Sequence, residues 1–423
     1  MCELRKVLAT NELDEKIKLL ICSDAVEEEK ERYLRLLDMA IEEFGDGDYH
    51  IISSPGRTEI GGNHTDHQHG KVVAASVNVD SVAVVKKNNE NIVNLHSVGF
   101  NIKPIDLNDL SIHPEEANTT ESLIRGIAYR FTELGYKIGG FDAVSKSKVL
   151  VGSGISSSAS FEVLICELFN QLYNDGVVDA IEIAKIAQYA ENKYFMKPCG
   201  LLDQMAISCG GFTIMDFEDP AKPIVEKCDF DFKKYGYNLV LTNTKGDHAD
   251  LSHEYAAIPN EMKLVARAMG HEFLRECSKE EFINNFAKIR EEVNNDRAML
   301  RAMHLFGENE RADKQATAIR NEDLDTLLTL MKESGRSSYM YLQNVFCVVK
   351  PYSQSLGIGL SLSEECLKDR GAYRVHGGGF EGTIQAIVPD DLLDEYLKLM
   401  QSVYGDDATF LMNIRSVGGY KLY

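Results

Sequence analysis

Three segments of this chain pair glycine with hydrogen-bonding side chains where one regular element gives way to the next: residues 55–70, 152–160 and 377–382. Glycine lets a backbone approach a ligand or another loop closely, but such turns are useful only when rigid elements hold their ends. Their flanks therefore constrain the fold. Around the first lie short Val- and Ile-rich runs at 50–53, 72–77, 81–86 and 92–95, which predict a largely antiparallel sheet. Ahead of it, residues 12–44 carry Leu34, Leu37, Ile41 and Phe44 at helical spacing, which predicts a helical, peripheral stretch.

Further on, Leu123, Ile124, Ile127, Ala128 and Phe131 predict a helix over 120–134 behind Thr120 and Glu121. A strand near 148–151 then leads into the second segment and a buried helix over 161–173, followed by a helix over 178–194. Strands near 211–216 and 239–242 precede helices over 254–268, 279–303 and 323–334, and strands at 372–376 and 383–388 flank the third segment. No internal repeat and no low-complexity linker marks a sharp boundary; a division near residue 215 is expected, giving lobes 1–215 and 216–423.

The chain's 423 residues, 44% hydrophobic and 26% charged, suit a soluble globular protein with a sizeable core. A formal charge of −21 disfavours nucleic acid or an anionic membrane as partner, while a small phosphate ligand stays compatible because local dipoles and a metal outweigh net charge. No leader-like h-region or membrane-length apolar run is found. The nine cysteines are scattered, without C-x-x-C spacing, and read as small hydrophobes in a reducing cytoplasm.

The first segment gathers Arg57, Asn63, His64, Asp66, His67 and His69 among four glycines, groups that can converge on a many-hydroxyl ligand. The three histidines at i, i+3 and i+5 make only a weak metal signature. The second, Gly-Ser-Gly-Ile-Ser-Ser-Ser-Ala-Ser from Gly152, lies between a strand and an apolar helix. It fits either a phosphate site of backbone N–H groups and helix dipole, with a hydroxyl for Mg²⁺, or a flexible turn ending in an N-cap serine. It is not a Walker A loop, lacking Gly-Lys-Ser/Thr at the required spacing. In the third, four glycines fit a ligand contact or a tight hairpin equally well.

Taken in order, the three segments resemble the signature motifs of the GHMP small-molecule kinases, and the first is closest to the galactokinase signature. A fourth stretch agrees: Ala190-Glu191-Asn192, then Pro198-Cys199-Gly200-Leu201-Leu202-Asp203-Gln204, is similar to the galactokinase stretch ending in a Met-Asp-Gln-like triplet. The resemblance implies a two-lobed α+β fold, an N-terminal mixed α/β lobe and a C-terminal α+β lobe with the active site between them. It implies a cytoplasmic enzyme, monomeric or weakly homo-oligomeric, that uses ATP and Mg²⁺ to phosphorylate the anomeric hydroxyl of galactose, giving α-galactose 1-phosphate and ADP. By position, Asp203 stands next to the anomeric hydroxyl with Arg57 as its partner. An aspartate beside an arginine stays ionised and can accept the hydroxyl proton, while the arginine offsets phosphoryl charge. Gly152, Ser153, Gly154, Ile155, Ser156, Ser157 and Ser158 fall on the ATP loop, Ser158 and Glu191 on the metal ligands, and Asn63, His64, Asp66, Gly200 and Tyr255 on the sugar site. Without the flanking motifs, Asp203 and Glu191 would read as ordinary helix-end or surface carboxylates.

The chain also departs from that pattern. Galactokinases usually carry Asn, Leu, Ile, Gly and Glu where it has Glu59, Ile60, Gly61, Gly62 and Asn63. The resemblance places that glutamate against the sugar's C6 hydroxyl, so Asn63 there would tolerate a C6 carboxylate. Asp66-His67-Gln68 resembles the galacturonate kinases, which makes galacturonate, or another galacto-configured sugar, the alternative substrate. Residues 158–162 and 198–204 are nearer to galactokinase. Glu381 replaces a glycine of the third motif, and the stretch after Ser334, including 342–362, matches poorly. A sugar sensor without turnover is the alternative class, but it should lack Arg57, Asp203, Ser158 or Glu191, and all four are present.

Overall fold

The computed structural model describes residues 2–149, 154–246 and 251–423. Three helices open the chain, α1 (Glu3–Leu8), α2 (Asp14–Ile21) and α3 (Val26–Phe44). Next come β1 (His50–Gly61), β2 (Lys71–Lys87), β3 (Ile92–Ser97), β4 (Ile105–Asp106), α4 (Thr120–Glu133) and β5 (Phe141–Ser147). Helices α5 (Ser157–Tyr173), α6 (Ala180–Lys193) and α7 (Leu202–Cys209) precede β6 (Phe212–Asp216), β7 (Ile224–Cys228) and β8 (Tyr237–Asn243). The remainder is α8 (Ser252–Ala268), α9 (Lys279–Asn284), α10 (Phe286–Val293), α11 (Asp296–Arg320), α12 (Leu324–Ser337), α13 (Ser355–Leu367), β9 (Ala372–Val375), β10 (Thr383–Pro389), α14 (Leu393–Tyr404), β11 (Thr409–Met412) and β12 (Tyr420–Lys421).

The strands form two sheets, each with its own helices, which is the two-lobed α+β arrangement expected. In the first, the order is β12-β1-β2-β5-β3-β4, with β6 added to β2 and β7 to β6. Strand β2 serves both branches: Lys71–Ala75 pair with β6, and Ser81–Lys87 pair with β5. One face is covered by α4, α5 and α6, whose Phe131, Val163, Phe169 and Ile186 are fully buried with Phe141. The second sheet, β11-β8-β10-β9, is antiparallel throughout. A further core joins the sheets, packing Ile60 and Val73 against Ala312 and Ile319 of α11 and Leu327 of α12.

Four sequence expectations change. The opening helices are not peripheral, because Tyr33, Leu37, Ile51, Val84 and Leu422 close a core on the other face of the first sheet. The single helix expected over 279–303 is three, since Asn285 and Asn294 break it, Asn294 at φ 45°, and Asn295 then caps α11 by accepting from the Ala298 N–H at 3.1 Å. The strand expected at 148–151 ends at Ser147, and Leu150 and Val151 lie outside the described residues. Finally, β7 and β12 pair within the first sheet, so the first lobe takes up residues that a single boundary at 215 assigns to the second. No helix among the described residues is long and apolar enough to cross a membrane.

Arg415 anchors the returning segment. It is fully buried and donates to Ser53 Oγ and the Gly418 carbonyl, each at 2.7 Å. Asp80 lies 3.7 Å from it and 2.7 Å from Arg32. Arg415→Ala is expected to lower the unfolding free energy by about 3–5 kcal/mol, as for other buried charge partners removed singly. Urea denaturation checks this, and a loss under about 1 kcal/mol would contradict the anchoring role.

Candidate active site

Strands β1 and β2 lose register twice, between Pro55 and Gly56 and between Glu59 and Gly61. Residues 55–61 are therefore a doubly bulged strand and not the loop expected, and only residues 62–70 leave the sheet. Bulges re-aim side chains, and here they frame Arg57, Thr58 and Glu59. Arg57 holds Asp203 with both ends of its fork, Nε to Oδ1 at 2.6 Å and Nη2 to Oδ2 at 2.9 Å, while Nη1 donates to the Gly154 carbonyl. Ser156, at φ 58° just before α5, also donates to Asp203. Burial would raise the Asp203 pKa, but the Arg57 charge and these hydrogen bonds hold it below the ordinary aspartate value. The structure thus brings Arg57, Asp203, Gly154 and Ser156 together. Gly152 and Ser153 lie outside the described residues.

Asp203 opens α7, and its neighbour Gln204 bridges two carboxylates, donating to Glu162 at 3.0 Å and to Glu191 at 2.9 Å. Burial and the nearby Glu191 push the Glu162 carboxyl well above its ordinary range. Glu162 Oε1 and Gln204 Oε1 have no hydrogen-bond partner. Glu191 is also paired with Lys197 at 3.1 Å. Ser158 is exposed in the first turn of the apolar helix α5, where the dipole favours anions. Among the described residues no group of three His, Cys, Asp or Glu could cage a metal. One carboxylate and one hydroxyl instead suit a Mg²⁺ that keeps waters and takes phosphate oxygens.

The residues expected to contact sugar fall into two groups. Asp66 caps its own turn through the His67 N–H at 2.9 Å, and Gly200 backs onto it so closely that a Cβ there would stand 1.7 Å from Oδ2. His64, at φ 58°, reaches the Gly378 carbonyl at 2.9 Å through Nε2. Desolvation, with His67 nearby, lowers its pKa to about 3, so the ring is neutral, donates from Nε2 and leaves Nδ1 to accept. Tyr255 stands edge-on to Phe380 and donates to the Gly379 carbonyl at 2.8 Å, making a wall against the third segment. Asn63 is the exception. Its amide is fully buried, donates to Glu59 and the Gly377 carbonyl, and accepts from Ser338 and Asn344. That leaves it no capacity for a ligand, which corrects the expectation that it contacts the sugar's C6 position.

Residues that sequence reasoning passed over assemble this seam. Arg374 pairs with Glu59 at 2.7 Å, and His376 meets Thr58 Oγ1 at 3.0 Å. The period-2 placement of Arg374 and His376 just before three glycines was the available signal. Glu308 accepts the Gly62 N–H at 3.0 Å, and His304 reaches the Asn63 carbonyl at 2.9 Å. Both come from α11, where nothing local in the sequence marks them. Glu381 is buried and accepts from Ser353 and Ser355 at 3.0 and 3.1 Å, so its charge sits on the first turn of α13, not in the cleft.

A helix N-terminus beside a buried Arg–Asp pair and a polar loop where the two lobes meet is an arrangement that suits a small-molecule kinase. Two family models match accordingly, GHMP kinases N terminal domain over residues 122–211 and Galactokinase galactose-binding signature over residues 41–87. The galactokinase of Clostridium tetani is 29% identical over 364 residues, covering 85% of this chain and 89% of its own length. That of Bacillus subtilis is 29% identical over 365 residues, covering 83% and 88%. The crystal structure of Lactococcus lactis galactokinase complexed with galactose superposes with a TM-score of 0.78 at 25% identity, covering 91% of this chain and 98% of its own. A Methanococcus jannaschii mevalonate kinase shares the fold, with a TM-score of 0.61 at 15% identity. The chain is a GHMP kinase, a phosphotransferase. Within that superfamily it belongs to the galactokinase family, whose phosphate donor is ATP.

Two outcomes are expected. The lowered Asp203 pKa means that its ion pair stabilises the fold above the ordinary value of 3.8 and is lost as pH falls toward the folded value. The stability difference between wild type and Asp203→Asn should therefore be constant from pH 7 to about 5 and shrink below about 4 in acid titrations of Tm. Gly200→Ala should displace the Asp66 carboxylate and lower kcat/KM for sugar by about 100-fold, with affinity for an ATP analogue unchanged by calorimetry.

Proposed function

We propose that this chain transfers the γ-phosphoryl group of ATP directly to the anomeric hydroxyl of galactose. The observation that supports this most is the two-pronged Arg57–Asp203 pair, closed by Ser156 where the first and second segments meet. Asp203, held ionised, accepts the proton of the sugar O1. The O1–phosphorus bond forms, the bond from phosphorus to the bridging oxygen breaks, and ADP leaves with that electron pair. Arg57 offsets the charge on the transferring group, and the start of α5 faces anionic oxygens with its free N–H groups. Ser158 and Glu191 are the groups that would hold Mg²⁺, which supplies charge neutralisation on the phosphates when bound. Asp66, fixed by Gly200, and the accepting Nδ1 of His64 are the sugar-hydroxyl contacts in this reading, with Tyr255 as a wall.

Galactose stands first; of the two features that favour galacturonate, Asn63 and the Asp66-His67-Gln68 triplet, the first is weakened because the Asn63 amide is buried and fully hydrogen-bonded. The two lobes serve as working units, the first built on residues 1–215 with β7 and β12 added to its sheet and carrying the sugar and phosphate groups, the second, from the rest of 216–423, closing the cleft through the third segment. The nine cysteines, all free, support a reducing cytoplasmic setting, and a monomer or weak homo-oligomer without nucleic-acid or membrane partners is the state proposed.

Two measurements test this. ADP release with ATP and Mg²⁺ should be fastest for galactose in a panel with galacturonate, N-acetylgalactosamine, arabinose and glucose, and sugar binding without ADP release would indicate a sensor. Asp203→Asn should lower kcat by about 1000-fold while galactose affinity changes little, and near-normal kcat would remove Asp203 as the base.

A further inference from the structure

Among the described residues, a site that must take a polyphosphate has little free positive charge. Asp203 and Glu191 both stand in it as carboxylates, and the whole chain carries −21. Arg57 is fully engaged, with Nε and Nη2 on Asp203 and Nη1 on Gly154. Lys197 differs. Its ammonium lies 3.1 Å from Glu191 Oε1, yet its side chain is 57% exposed and free to swing on four methylenes.

The chain is built to put it there. After α6, Met196 adopts φ 65°, a left-handed conformation that non-glycine residues avoid, and this turns the backbone back so that the Lys197 N–H donates to the Glu191 carbonyl at 3.1 Å. On the far side Cys199 N–H donates to Asn192 Oδ1 at 2.7 Å, and Gln188 donates to the Cys199 carbonyl at 3.3 Å. The loop is thus pinned at both ends, with Gly200 and Asp203 following directly. Through Glu191 the ammonium lies next to Gln204, the neighbour of Asp203, and its charge also favours the ionised form of Asp203. The pair joins an exposed ammonium to a buried carboxylate, so Lys197 can leave Glu191 only when another cation takes its place there.

We propose that Lys197 is a phosphate-contacting residue of this kinase, resting on Glu191 when no nucleotide is bound and moving onto the oxygens of the transferring phosphoryl group when metal-nucleotide binds, which leaves Glu191 to the metal. The assignment rests on the kinase reading of the site. It is a movement of charge only: Lys197 keeps its proton, no bond to its nitrogen forms or breaks, and Asp203 remains the proton acceptor.

The test compares wild type with Lys197→Met, which keeps the stem, and Lys197→Arg, which keeps the charge. Lys197→Met should bind a non-hydrolysable ATP analogue with Mg²⁺ about 10-fold more weakly by calorimetry and lower kcat about 100-fold, with galactose affinity unchanged, and Lys197→Arg should recover most of the analogue affinity. Titration of the nucleotide-free protein with Mn²⁺, followed by electron paramagnetic resonance, should show several-fold tighter binding in Lys197→Met, because the competing ammonium is gone. Unchanged analogue affinity, weaker Mn²⁺ binding, or parallel losses of Tm and galactose affinity that arginine does not restore would each overturn the proposal. Absence of ADP release by wild type with any sugar would instead sink the kinase reading, and the analogue and Mn²⁺ titrations would still decide Lys197.

Discussion

A buried arginine held on three sides organises this molecule's site. Arg57 cannot sit in the interior unpaired, and the two bulges of β1 aim it so that Asp203 takes two of its nitrogens and Gly154 the third. That one side chain therefore ties the long bulged strand to α7 and to the loop ahead of α5. Ser156 completes the arrangement from the loop side. The same contacts that make burial tolerable keep Asp203 ionised, so packing and proton chemistry have a common cause.

Around this pair the two lobes meet through a polar seam above an apolar one. Glu59 is raised by burial yet held by Arg374, and it hands the contact on to Asn63, which binds the Gly377 carbonyl, Ser338 and Asn344. Below it Ile60, Val73 and α11 share a core with the second sheet. The 62–70 loop is consequently shaped from behind by α11, through His304 and Glu308, as much as by its own sequence. Glu308 is held down at about 2: burial would raise it, but His304, Arg311 and Arg374 outweigh that effect, and it receives the Gly62 N–H as an anion.

Much of this was legible in the chain, for identifiable reasons. Helices α4, α5 and α6 are legible within a few residues because apolar periodicity is a local signal. The pairing of Arg57 with Asp203 was legible only through ordered motifs, since 146 residues separate them. What could not be read was which side of the backbone a polar residue faces after a bulge. Asn63 was placed against the sugar because its position in the motif suggested it, but the register shift between Glu59 and Gly61 and the distant Asn344 and Ser338 turn it inward. Glu381 was equally opaque, because the serines that bind it lie in a stretch with no recognisable pattern.

The central claim is that the sugar's own anomeric oxygen is the nucleophile and Asp203 its base. The most direct measurement is ³¹P and ¹H NMR of the product formed from galactose carrying ¹⁸O at C1. The account predicts an α-anomeric sugar 1-phosphate with the label retained in the bridging position, seen as an isotope shift on phosphorus. Loss of the label, or phosphate on any other hydroxyl, would contradict it.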